Sequence, residues 1–286
     1  MQLTKIHLAG LMALALLMVL WFPCPGSADY VIDDFSSIQF PGDGWYARPL
    51  DWKYEDGQWK PYNIFSYYGY TDKVPITDPD YMSKQQKRVV SESGLANVLG
   101  GTRRTTIMTN PIWNGTTWLN GNVDGYLRTI TYEGRTGFLF LATGAARVGS
   151  FELIYDRGGE GLNLNFAGGT KITVAFQPDH LGGTDTNIMS LTLTDMSNNS
   201  QTISHVWDQW YIPGSGVYLE EVFSLSQFTG VNLAAIRSVS LYYKGDMAND
   251  AIFDFISTDA PVPVPPAVWL LGSGLIGLAG LRLRRK

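Results

Sequence analysis

From about residue 95 onward the chain alternates between hydrophobic and polar residues, and β-branched side chains are frequent. A period of two is typical of strands that bury one face. Thr170–Phe176 and Met189–Thr194 show the pattern most clearly, and Gly-Gly or Asn-Asn pairs fall where turns are needed. The predicted strands are Val31–Ile38, Arg103–Thr109, Tyr126–Tyr132, Gly137–Thr143, Ser150–Tyr155, Gly161–Phe166, Thr170–Phe176, Ile188–Thr194, Thr202–Trp207, Val217–Phe223, Ser238–Tyr243 and Ala251–Ile256.

These strands, with no convincing amphipathic helix beyond a short turn near Leu225–Phe228, favour an all-β fold. Short strands at regular spacing with Gly and Asn turns predict a β-sandwich. The segment 29–260 is long enough to form a sizeable hydrophobic core.

The segment 40–88 breaks the pattern. It contains Trp45, Trp52, Trp59 and several tyrosines among Gly, Pro and Asp, and its periodicity is poor. We expect a long aromatic-rich insertion after the first strand. Loops of this length are usually functional or mobile.

The first 28 residues have the pattern of a secretory signal peptide. Lys5 precedes a largely apolar run, and the small residues Gly26 and Ala28 precede a predicted cleavage between Ala28 and Asp29. Export through the Sec machinery follows. The only cysteine, Cys24, lies in this segment, so the exported part would hold no disulfide and no cysteine metal site.

The segment 261–286 combines prolines, an apolar run and a basic end. As a helix, 267–281 would be roughly 22 Å long at about 1.5 Å per residue. This is short of the roughly 30 Å hydrocarbon core, and Leu283 with the snorkelling arginines extends the predicted transmembrane helix to 267–283. The residues that define the segment are Pro263, Pro265, Pro266, Trp269, Arg282, Arg284, Arg285 and Lys286.

This layout resembles the PEP-CTERM sorting signals of Gram-negative bacteria, which exosortases recognise. Val262–Leu275 is similar to the common "VPxPxAVWLLGSGL" version, with Val264 where the Glu of Pro-Glu-Pro stands. The resemblance implies a protein that is anchored in the membrane, processed by an exosortase-type enzyme, and then located at the cell surface or outside the cell, in association with exopolysaccharide or biofilm. An ordinary single-pass anchor is the alternative.

Removing both terminal segments changes the charge balance. One Lys lies in the signal peptide and four basic residues lie in the tail, which leaves 16 Lys+Arg against 26 Asp+Glu, a net charge of −10. Such a surface argues against nucleic acid or anionic lipid as partners.

Several short stretches of the exported part resemble jelly-roll carbohydrate-binding modules with a galactose-binding-like fold. They are Val31–Phe35, Leu225–Phe228, Val231–Tyr243 and Ala251–Ile256, while Leu99–Arg104 and Tyr155–Gly158 resemble stretches of exported PEP-CTERM jelly-roll proteins. The resemblance implies sugar binding and a structural calcium between the first and last strands, and it implies no other cofactor. Asp33, Asp34 and Asp254 are the candidate ligands, because calcium takes carboxylate oxygens. Alternatively, these aspartates are hydrogen-bond acceptors at turns.

Tryptophans on Gly- and Asn-rich segments are the candidate sugar-binding residues, because sugar rings stack on aromatic faces while polar groups fix their orientation. Packing of the aromatic-rich segment is the alternative role. The candidates are Trp45, Trp52, Trp59, Trp113 and Trp118.

Catalytic motifs are absent: the sequence has no Gly-x-Ser-x-Gly, His-Glu-x-x-His or phosphate-binding loop. We therefore expect a non-catalytic exported protein. A jelly-roll polysaccharide hydrolase or lyase is one alternative, and its acids would come from Glu92, Glu133, Glu152 and Glu160. A structural surface protein without glycan binding is another, which a flat array of threonines would favour; the sequence shows no such repeat.

Overall fold

The computed structural model describes residues 29–37, 45–47, 51–55, 58–62, 87–110, 112–113, 115–116, 118–119, 123–132, 135–143, 148–183, 186–213 and 218–260. For 45–62, 118–138, 88, 140 and 142 the description covers the backbone alone. The predicted signal peptide 1–28 and the predicted sorting segment 261–286, including its proline, Trp269 and basic residues, lie outside the described residues. Within the described part, no helix is both long and apolar enough to span a membrane.

The described residues form seventeen strands and a few short 3-10 turns, which loops connect. The strands are β1 Tyr30–Asp33, β2 Trp45–Ala47, β3 Asp51–Glu55, β4 Gln58–Tyr62, β5 Lys87–Ser93, β6 Thr102–Asn110, β7 Ile112–Trp113, β8 Trp118–Leu119, β9 Val123–Tyr132, β10 Arg135–Thr143, β11 Val148–Tyr155, β12 Lys171–Pro178, β13 Asn187–Asp195, β14 Ser200–Trp207, β15 Leu219–Ser224, β16 Ile236–Lys244 and β17 Ala251–Thr258.

Two antiparallel sheets form a β-sandwich, which confirms the predicted all-β fold. The seven-stranded sheet has the order β15-β12-β17-β10-β9-β2, with β1 also paired to β17, and the six-stranded sheet has the order β14-β13-β16-β11-β6-β5. From β10 to β17 the chain crosses repeatedly between the sheets, as in a jelly roll. β3 pairs with β4, and β7 pairs with β8, in two small hairpins.

The alternation of β13 explains why it lies in the middle of this arrangement. Met189, Leu191 and Leu193 are fully buried between the sheets. The residues between them are hydroxyl-bearing and point to the outer face, because successive side chains of a strand point to opposite sides.

Aromatic rings fill the centre of the core. The ring of Phe253, on β17, lies 4.8 Å from that of Phe151, 5.1 Å from that of Tyr243 and 5.6 Å from that of Phe176, measured between centroids. Phe253 and Phe176 come from the seven-stranded sheet and the other two from the six-stranded sheet. Edge-to-face and offset contacts of this kind add about 0.5–1.5 kcal/mol per pair to the burial itself.

Two strand predictions need correction. Residues 161–166 form no strand: Gly161 and Asn163 have φ of 91° and 50°, and pairing is limited to one bridge between Leu164 and Ile236. The first strand ends at Asp33 rather than Ile38, because Phe35 adopts φ 52° and the Asp33 carboxylate accepts the Phe35 N–H in a tight turn.

Both end regions of the aromatic-rich segment contribute strands to the sandwich. Trp45–Ala47 forms β2 and pairs with β9 at the edge of the seven-stranded sheet. The end of the segment, Lys87–Arg88, begins β5, which pairs with β6 along its length. The sequence analysis predicted neither strand.

Candidate functional site

The predicted tryptophans are spread over three elements. Trp45 lies on β2, Trp52 and Trp59 lie on the β3–β4 hairpin, and Trp118 lies opposite Trp113 on the β7–β8 hairpin. Of these side chains the structure describes only that of Trp113, which is 54% exposed.

Asp33 belongs to a buried ionic network. Both of its carboxylate oxygens accept hydrogen bonds from Arg103 Nη1, at 3.1 and 2.9 Å. Arg103 also donates to Glu92 from Nε and Nη2, at 3.0 and 2.8 Å, and Tyr155 donates its hydroxyl to Asp33 at 2.9 Å. The four side chains are buried, and they join β1 to the six-stranded sheet.

Burial and charge act against each other in this network. Burial raises the pKa of Asp33, and the Arg103 guanidinium opposes this effect. Burial alone would lower the pKa of Arg103, but Asp33 and Glu92 raise it, so Arg103 stays charged. Burial and the nearby Asp33 raise the pKa of Tyr155, which keeps its proton for the bond to Asp33. The network is fully paired, as a buried charge requires.

This pairing bears on the predicted calcium ligands. Asp33 is occupied by Arg103 and Tyr155, and Asp34 accepts hydrogen bonds from Ser36 and Asn97 in a turn. Asp254 is buried on β17. Among the described residues, no group of three or more His, Cys, Asp or Glu side chains could hold a metal ion. The structure therefore does not gather the three aspartates into a calcium site, and it gives Asp33 and Asp34 the turn role that was the alternative.

Two of the candidate catalytic glutamates lie on opposite faces of one sheet. Glu92 faces the inside of the six-stranded sheet, and Glu152 faces the outside, where it accepts a hydrogen bond from Ser240. Glu160 is exposed beside a 3-10 turn, and Glu133 lies outside the described residues. Because Glu92 and Glu152 point to opposite faces of one sheet, they cannot act on the same bond.

A different aromatic site lies at one end of the sandwich, where β12, β14 and β16 end and β17 begins. We call it the Trp210 platform: Trp210, His180, Asp179, Gly183 and Asp246. The Trp210 side chain is 60% exposed, yet its ring stacks on the buried His180 ring with centroids 4.7 Å apart and planes inclined by 28°. A large aromatic ring is thus held from one side and open to solvent on the other.

Two carboxylates lie near the His180 ring, in addition to the stacked Trp210 ring. Its Nδ1 lies 2.9 Å from Asp179 Oδ1, and its Nε2 lies 3.9 Å from Asp246 Oδ2. Nε2 is buried and makes no hydrogen bond to any described residue. A buried nitrogen without a hydrogen bond costs stability, which is a common feature of functional sites.

Backbone pairing and two glycines fix the position of Trp210. Leu181 and Tyr211 exchange backbone hydrogen bonds of 2.7 and 2.8 Å. A Cβ at Gly183 would lie 2.2 Å from Asp246 Oδ2 and 3.0 Å from the Trp210 ring, and one at Gly182 would lie 2.3 Å from the Gln209 carbonyl oxygen. With φ of 131° at Gly183 and 70° at Gly182, both positions also need glycine for conformational reasons.

Buried polar side chains support the platform from below. Asn249 donates to the His180 carbonyl oxygen and to Asp179 Oδ1, and it accepts a 2.7 Å hydrogen bond from the Tyr243 hydroxyl. Asn187 donates to the same hydroxyl at 3.0 Å and accepts the Gly182 N–H. Burial raises the pKa of Tyr243, so its hydroxyl remains a donor. The loops that carry His180 and Trp210 are thereby tied to the core.

The sequence analysis missed this site. It placed a strand at Thr202–Trp207 and stopped there, although Trp210-Tyr211-Ile212 follows and Pro213 ends the run. All three of these side chains are more than half exposed. The available signal was an aromatic cluster directly after an alternating strand, close to two polar residues that break the alternation.

Comparison with known proteins assigns no family. No family model matches the chain, and no curated protein matches it. Among solved structures, a family 61 carbohydrate-binding module in complex with β-1,4-galactotriose is 10% identical, with 49% of this chain and 87% of the module aligned and a TM-score of 0.31. A family 11 carbohydrate-binding module from Clostridium thermocellum, in complex with a β-1,3-1,4-mixed-linked tetrasaccharide, is 12% identical over 60% of this chain and 87% of the module, with a TM-score of 0.29.

Catalytic proteins occur among the similar structures too. An exo-β-agarase is 16% identical, with 49% of this chain and 22% of that chain aligned and a TM-score of 0.32. At these TM-scores the likenesses carry no weight for the function of this chain, so the functional argument depends on the geometry of the platform.

Proposed function

We propose that this is an exported, non-catalytic protein that binds a neutral polysaccharide at the cell surface or in the extracellular matrix through the Trp210 platform. The observation that carries the proposal is the Trp210 ring, which is mostly exposed and is held in place by stacking on buried His180.

Sugar recognition explains why such a ring would be kept exposed. The apolar C–H face of a sugar can cover the open face of an aromatic ring, and nearby polar groups can bind its hydroxyls. Because His180 and the Leu181–Tyr211 pairing already fix the ring, little conformational freedom would be lost on binding. The partly exposed Asp179 can accept hydrogen bonds from sugar hydroxyls.

Charge selects the class of sugar. The Trp210 platform contains the carboxylates of Asp179 and Asp246, and the segment 29–260 carries a net charge of −10. Uronic acids and sulfated sugars would be repelled, whereas neutral sugars would not.

The terminal segments support the place of action. In this proposal the signal peptide directs export, the tail holds the protein in the membrane, and an exosortase-type enzyme processes it before its release to, or retention at, the cell surface.

A binding panel tests the proposal. The full chain would be measured against the neutral polymers xylan, mixed-linked β-glucan, galactan and agarose, the acidic polymer alginate, and the surface polysaccharide of the producing bacterium. We expect binding to at least one neutral polymer and none to alginate. Binding to no polysaccharide, or to alginate alone, would overturn the proposal.

A further inference from the structure

The outer face of the six-stranded sheet carries a regular set of serine and threonine hydroxyl groups, which the sequence analysis did not detect and which we call the hydroxyl strip. It lies on β13 and the edge strand β14, where three cross-strand pairs occupy successive outward positions. The pairs are Ser190 with Ser204, Thr192 with Thr202, and Thr194 with Ser200.

Each pair is joined by a side-chain hydrogen bond. The oxygen–oxygen distances are 2.8, 2.8 and 2.7 Å, in the order of the pairs above. One hydroxyl of each pair donates to the other, so each pair keeps one O–H donor and several acceptor lone pairs. Ser190 is buried, so its pair can contact a ligand only through Ser204. The bonds also fix the side-chain orientations, which lowers the entropy cost of binding.

The strip is uncharged over three strands. On β16 the next residues in the same rows are Ser238, Ser240 and Tyr242, so these three rows contain no carboxylate, amine or guanidinium across β14, β13 and β16. Lys244 in the next row of β16 and Glu152 on β11 border them on the same face. Solvent-facing edge strands usually carry charged residues, especially Lys, which prevent pairing with other chains. The outward positions of β14 carry none, and their last residue, Val206, is 55% exposed.

Along the chain, the hydroxyl strip directly precedes the Trp210 platform. β14 runs from Ser200 to Trp207, and Trp210 follows three residues later. Along a strand, outward side chains recur about every 6.8 Å, and neighbouring strands are about 4.8 Å apart. The hydroxyls therefore form a regular grid that can contact several sugar units in a row.

We propose that the hydroxyl strip is a second contact surface for the polysaccharide, on which a run of neutral sugars lies. This inference rests on the proposed function. An uncharged grid of donors and acceptors matches an uncharged, hydroxyl-rich polymer better than it matches a nucleic acid or an acidic polymer. Affinity should consequently grow with the length of the glycan.

The test removes one hydroxyl pair without changing side-chain shape. Thr192→Val with Thr202→Val keeps β-branched residues that suit a strand. The matched control is Ser224→Ala with Ser226→Ala, which removes a bonded pair of exposed hydroxyls away from the strip. The probes are the neutral polymer that the wild-type full chain binds most tightly and a tetrasaccharide of the same linkage.

We expect the Thr-to-Val variant to bind the polymer about tenfold more weakly and the tetrasaccharide within about twofold of wild type. The control variant should bind both probes like wild type. A polymer affinity within about twofold of wild type would overturn the inference while the proposed function stands. If wild type binds no polysaccharide, both fail.

Two further measurements exclude misfolding and self-association. Thr194→Ala with Ser200→Ala removes the outermost pair and should show the same loss if the first variant does not fold. Sedimentation of each sample reports the oligomeric state. If the variants change that state and leave polymer affinity unchanged, the strip is an interface between copies of this chain, and the inference is wrong.

Discussion

At the scale of single residues, the buried network around Arg103 is the clearest determinant of stability. All of its charged members are paired, and Arg103 also packs over the Phe35 ring with its guanidinium carbon 5.8 Å from the ring centroid. The network joins the first strand to the opposite sheet, so its loss should affect the whole sandwich.

Arg103→Met should lower the free energy of unfolding by about 3–5 kcal/mol, because it leaves two buried carboxylates without their cationic partner. Urea unfolding at neutral pH measures this loss of unfolding free energy. The neighbouring Arg104→Met is the matched control: Arg104 is exposed and lies 3.8 Å from Asp156, so its loss should cost no more than about 1 kcal/mol. Equal effects of the two substitutions would contradict the stabilising role of the network.

The residue scale is also where the sequence was least informative. The aspartate of the first strand was recognised as special, but its partner Arg103 is 70 positions away, and alternation does not reveal which charges meet across a sandwich. Glu92 and Arg103 are directly opposite on β5 and β6, and they could be paired only once β5 was known. The Trp210 platform is likewise formed by loops that meet only after folding.

At the scale of elements, the turn between β13 and β14 positions the hydroxyl strip. The Asp195 carboxylate accepts hydrogen bonds from the N–H groups of Ser197, Asn199 and Asn232 and from the Asn199 side chain. It therefore closes the turn and attaches it to the 3-10 turn at Leu233–Ala235.

These hydrogen bonds predict a pH dependence of stability. The Asn232 N–H, the Asn199 side chain and further N–H groups lower the pKa of Asp195 from 3.8 to about 2. The resulting stability is present above the ordinary pKa and is lost as the pH falls through about 2. Thermal unfolding between pH 5 and about pH 2 should show a steeper decline for wild type than for Asp195→Asn. Parallel curves would contradict this role of the carboxylate.

Strong alternation made most elements predictable. The predicted strand 188–194 corresponds to β13, and the predictions for β6, β10, β12 and β16 also differ from the structure by only a few residues at either end. The failures have physical causes. Residues 161–166 look apolar and alternating, but their left-handed backbone at Gly161 and Asn163 prevents a strand. β2 is only three residues long, too short for a period to be detected.

At the scale of the whole molecule, the β-sandwich lies between two terminal segments that we propose determine where the protein acts. The core from Ile32 to Ala260 lies entirely between the two predicted processing sites. Removal of both segments would consequently leave the described core intact.

Intact mass of the protein isolated from its native host checks the two segments together. We expect a product that starts at Asp29 and ends near Pro263. A product that retains Arg284–Lys286 would make the tail a permanent anchor, and one that retains residues 1–28 would contradict the signal peptide.

Sugar recognition by the platform is the central claim, and the affinity of Trp210→Ala for the preferred neutral polysaccharide tests it most directly. Loss of a central aromatic contact should cost at least about 2 kcal/mol, or roughly 30-fold in Kd. The matched control is Tyr30→Ala, another exposed aromatic residue, on β1. We expect the loss for Trp210→Ala with its melting temperature retained, and wild-type affinity for Tyr30→Ala. Wild-type affinity of Trp210→Ala would contradict it.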